Sequence, residues 1–66
     1  MKNTLVSHRW TVRDGFNHYI DVIDNKLAHS DSPVCFSRRD AESIASRIIA
    51  CGVAATIEDY YATHEA

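Results

Sequence analysis

The chain has 66 residues, a net charge of −2, 45% hydrophobic and 24% charged residues. That is one domain, 1–66, with a small core. It is too ordinary in composition for disorder, and it lacks the basic excess that bulk nucleic-acid or membrane binding uses. The opening residues show no apolar run like that of a signal peptide, and no window approaches a membrane span. The expected location is therefore the cytoplasm, with no membrane partner.

Thr4 to Arg13 alternates as a strand does, with Val6, His8, Trp10 and Val12 on one side and Ser7, Arg9, Thr11 and Arg13 on the other. Phe16 to Asp24 resumes the alternation after Asp14-Gly15. A three-residue Arg13-Asp14-Gly15 loop, with Gly15 left-handed, keeps the apolar sets on one face. It pairs Val12 with Phe16, Trp10 with His18, His8 with Ile20 and Val6 with Val22. Asp24-Asn25 is the next turn signal, and a third strand is expected somewhere between Leu27 and Phe36, with Ser30 to Pro33 as a polar loop.

The organising element follows. From Ser37 to Gly52 the sequence reads as one capped helix, with Ala41, Ile44, Ala45, Ile48 and Cys51 on a single face. Ser37 is the expected N-cap, Asp40 stands near the capping-box position, and Gly52 closes the helix. Arg38 is set to reach Glu42 at i, i+4. Val53 to Tyr61 reads as a last strand with Val53, Ala55 and Ile57 inward, and Ala62 to Ala66 as a frayed tail. A helix between Cys35 and Cys51 separates them by roughly 20 Å, so both are expected as reduced, packed thiols.

The expected fold is α+β: a small two-layer sandwich in which a three- to four-stranded, mainly antiparallel sheet packs on one helix, in the order strand–strand–(strand)–helix–strand. Trp10 is the expected centre of the core.

Chemical motifs are scarce. No phosphate-binding glycine loop, nucleophile elbow, His-Glu-x-x-His or Cys-x-x-Cys occurs, so no enzyme, cofactor or catalytic residue is expected. His8 and His18 share the inferred face, diagonal across the hairpin, but lack further ligands at metal-binding spacing, so no metal is expected either. Partner contact is the reading that remains. The outer hairpin face offers Arg9, Thr11, Arg13, Tyr19 and Ile23; the helix offers Arg38, Arg39 and Arg47; the end of the chain offers Tyr60 and Tyr61 beside Glu58 and Asp59. A small sheet also leaves edge strands through which two copies could pair.

Trp10-Thr11-Val12, a hairpin, Asp40-Ala41-Glu42 opening a helix and Gly52-Val53 opening a last strand together resemble the layout of small phage-encoded inhibitors of host machinery. These include the inhibitor of bacterial RNA polymerase and some anti-CRISPR proteins. The resemblance implies a protein in the bacterial host cytoplasm that occupies a surface of a host protein or ribonucleoprotein complex, and it transfers no binding residue. A second resemblance is to the three-stranded DNA-binding domains that begin phage integrases. It would make Arg9, Thr11, Arg13 and Tyr19 the groove-reading residues, against which the negative net charge and Asp21 weigh. The expectation is thus a non-enzymatic protein-binding module, with a nucleic-acid-binding or regulatory domain as the alternative.

Overall fold

Two well-made caps delimit the helix. In the computed structural model, which describes residues 8–61, α1 runs Arg38–Ala50. The Ser37 hydroxyl accepts the Asp40 amide at 3.1 Å, satisfying one of the free donors of the first turn. At the other end Gly52 adopts φ 84, its amide reaches the Ile49 carbonyl at 2.8 Å, and Val53 N–H reaches the Ile48 carbonyl at 3.3 Å. That paired closure is a Schellman motif, available because glycine enters the left-handed region without a Cβ clash. Ala41, Ile44, Ala45 and Ile48 are buried as their spacing requires. Cys51 is not. It forms the C-cap and is exposed, because the chain already turns away there.

The strands are β1 (His8–Asp14), β2 (Tyr19–Ile23), β3 (Lys26–Ser30), β4 (Phe36–Ser37) and β5 (Ala55–Asp59). They form one antiparallel sheet with β1 at its centre, and the fold is α+β as expected. β5 lies along β1 from Trp10↔Asp59 to Asp14↔Ala55. With that edge taken, β2 and β4 share the other: β2 at Arg13↔Tyr19, β4 at His8↔Ser37 and Trp10↔Phe36. The single expected third strand is therefore two. β3 pairs with β2, and the two-residue β4 returns to β1 just before the helix starts.

The first hairpin has a three-residue loop, but it is Gly15-Phe16-Asn17 and not Arg13-Asp14-Gly15. Asp14 N–H donates to the His18 carbonyl at 3.1 Å, and Asn17 N–H to the Asp14 carbonyl at 3.0 Å. Asn17, at φ 71, takes the left-handed position assigned to Gly15. The cause is the Asp14 side chain, whose Oδ1 accepts the amides of Phe16 (3.0 Å) and His18 (2.9 Å) and so holds the loop shut from Asp14 onward. The register moves by an even number, which preserves the faces. Extending Arg13↔Tyr19 by one residue sets Val12 opposite Ile20, and both are buried. The expected pair with Val6 lies outside the described residues, as does the tail Ala62 to Ala66. The second turn matches its signal: Asp24 (φ 53) and Asn25 (φ 64) are the two left-handed residues of a tight two-residue loop.

Val12 is the centre of the core, sealed among Ile20, Ala41, Ile44, Ala45 and Ile48. Trp10 is not. It packs at the margin, half-buried, with the Arg38 guanidinium 4.5 Å above its ring. The helix meets β1 and β5 through two alanines and two isoleucines, while Trp10 lies opposite Phe36 of β4, beside the first residue of the helix. No helix among the described residues is long and apolar enough to cross a membrane.

Candidate functional site

The face of the sheet away from α1 is not the open surface that alternation suggests. Arg9 Nε donates to Asp59 Oδ1 at 2.7 Å, and its guanidinium lies 5.5 Å from the Tyr61 ring. Arg13 pairs with Glu58, donates to Asn17 Oδ1 at 2.8 Å and stacks 5.4 Å from the Tyr19 ring. Thr11, between the two arginines on β1, is only 1% exposed, and its hydroxyl has no hydrogen-bond partner among the described residues. It cannot touch a partner, which corrects its place among the expected contact residues. The structure brings Arg9 to Tyr61 and Arg13 to Tyr19, each arginine self-paired with an acid of β5, with Tyr60 at 6.3 Å from Tyr61. Ile23 stands exposed at the end of β2.

The helix residues lie elsewhere. Arg38 reaches Glu42 at 2.9 Å, as its spacing foretells. Arg39 is exposed on the first turn, and Arg47 donates to the Asn25 carbonyl at 3.0 Å, tying the helix to the second turn.

A different constellation sits where the first hairpin closes. Asp14 ends β1 on the same side as Val12 and is buried. With Oδ1 held by two backbone amides, Oδ2 faces His18 Nδ1 and His29 Nε2, each at 3.4 Å. The His18 amide is the main cause that holds the Asp14 carboxyl below its ordinary pKa, against the opposing pull of burial. The two imidazoles stack with centroids 4.2 Å apart and planes 17° from parallel. His29 comes from β3, opposite Ile20, so it is diagonal to His18 on one face. His8, the expected partner of His18, stands instead near the other end of β1, opposite Ser37.

Beside this cluster lies an open cleft of about 420 Å³ between the hairpin, β3 and the end of α1. Ile20, Leu27, Ile48 and Val53 supply its apolar lining, Asp14 and His29 its polar side, and Phe16 its rim. Phe16 is 72% exposed because the loop begins two residues later than expected and carries it to the tip.

Sequence reasoning missed His29 and the role of Asp14. The signal was present in part. Asp14 and His18 are four apart across a turn, and a two-residue Asp24-Asn25 loop already implies Ile20 opposite His29. No family model, curated protein or solved structure matches the chain, so the functional argument rests on these residues.

Proposed function

We propose that the protein is a non-enzymatic protein-binding module, and that its finer role is inhibition of a host protein or ribonucleoprotein complex by occupying one of its surfaces. Phe16 is the observation that carries the binding reading. A large aromatic ring left in water at the tip of a hairpin held shut by Asp14 is a ready anchor, since contact energy concentrates in rigid aromatic side chains. The apolar cleft behind it can receive a side chain in return. The contact surface in this reading is the hairpin tip and cleft, with exposed Ile23 and Arg39 at greater distance, and not the self-paired outer layer.

Catalysis finds little support in the same cleft. Cys51 lines it, but the Asp14, His18 and His29 group does not include its sulfur. Nucleic-acid binding is the lesser reading. Phosphates would have to displace Asp59 from Arg9 and Glu58 from Arg13 before the outer face could act.

The test compares the immobilised wild-type chain with a Phe16→Asp chain in bacterial lysate, with duplex DNA presented in parallel. The expected result is a protein retained by the first and lost from the second, while stability changes by no more than about 0.5 kcal/mol. Retention of DNA that weakens steeply with salt would replace this reading with the nucleic-acid one. Retention of a second copy, seen as a dimer in sedimentation, would point to the outer edges of β3 and β5, which pair with no strand among the described residues.

A further inference from the structure

We propose that Asp14, His18 and His29 form a binding site for a divalent transition-metal ion, zinc being the best fit to two imidazoles and one carboxylate. The distances carry the argument. Two ligand atoms bound tetrahedrally at about 2.0–2.1 Å from zinc lie roughly 3.3–3.4 Å from each other. Asp14 Oδ2 stands 3.4 Å from both His18 Nδ1 and His29 Nε2, so two edges of the coordination polyhedron already have their length. One ligand atom from each of the three residues lies within 4.8 Å of the others, so turning the two rings out of their stack is the adjustment that closes the set.

The carboxylate is built in rather than loosely placed. It is buried, and its other oxygen is fixed by the amides of Phe16 and His18, the kind of outer support that orients a metal-bound carboxylate. The imidazoles are the movable part. Their side chains are 50% and 63% exposed, so each ring can turn about its side-chain torsions and direct a lone pair at the ion. Binding exchanges the present stack for coordination. Solvent reaches the site directly, and the fourth position of a tetrahedral ion stays open to water or to a group entering the adjoining cleft.

The topology gives such an ion a structural consequence. The arm formed by β2 and β3 joins the backbone of β1 at the register pair Arg13↔Tyr19 and the adjoining Asp14–His18 bond, next to the hairpin loop. An ion held by the last residue of β1, the residue before β2 and a residue of β3 fastens that arm to the centre of the sheet. The site stands independently of the partner reading, because it needs no protein in the cleft.

The experiment titrates zinc chloride into the full chain at neutral pH and follows heat, melting temperature and the imidazole proton resonances. The expected result is one ion per chain, a raised melting temperature, and shifts confined to the rings of His18 and His29. H18Q and H29Q each weaken binding by at least ~10-fold, while H8Q leaves it unchanged. Both substituted side chains are exposed, so the variants keep the wild-type melting temperature without metal. Absence of binding at submillimolar zinc overturns the proposal. So does binding that survives undiminished in either H18Q or H29Q.

Discussion

Val12 and Thr11 are neighbours on β1, 0% and 1% exposed, and they are buried for opposite reasons. Val12 faces the helix and is enclosed by isoleucines and alanines, where removal of apolar area from water is the driving force. Thr11 alternates to the other face, between Arg9 and Arg13, whose head groups pair with Asp59 and Glu58. Arginine stems shield what lies under them while the guanidinium remains near water. One strand thus has one sealed position among apolar side chains and another between paired arginines. A sealed position does not by itself report a hydrophobic core.

The two faces should respond differently to mutation. On the helix side, Ile48→Ala removes three carbons from a packed core and should lower unfolding stability by about 2–5 kcal/mol in urea titration. A much smaller loss would mean that the helix covers the sheet loosely and that the contrast is false. Beneath the outer layer, Thr11→Val should raise stability by about 1 kcal/mol, because it replaces an unpartnered buried hydroxyl with a methyl of similar size. Destabilisation there would show that the hydroxyl has a partner in solution. Within the layer, a double-mutant cycle on Arg13→Ala and Glu58→Ala should return a coupling below about 1 kcal/mol that shrinks further in salt, since both side chains keep about a quarter of their surface in solvent. A larger coupling would make the layer a true second core.

The sequence was most informative where structure is local. Ser37 and Gly52 bound the helix because each cap is a contact between residues a few positions apart. The loop of the first hairpin was legible in length but not in place. Glycine's preference for the left-handed region favoured Gly15, whereas the capture of two amides by Asp14 moved that position to Asn17. The faces survived only because the displacement was even. The outer layer was legible as a set of residues and misread as a surface. Alternation places Arg9 and Arg13 on one side of β1, but says nothing about which strand's acids lie next to them.

By itself the sequence determined the helix Arg38–Ala50, its caps, its buried stripe and the two-sidedness of the strands. These follow from repeats of 3.6 and 2 residues that any short window contains. Tertiary structure alone decided that β5 runs beside β1, closing Asp59 on Arg9 and Glu58 on Arg13, and that β3 carries His29 to Asp14. The reason is that a strand's period specifies its faces but not its neighbour. The partner is selected by packing of the whole sheet against the helix, across separations of up to fifty residues in the case of Arg9 and Asp59.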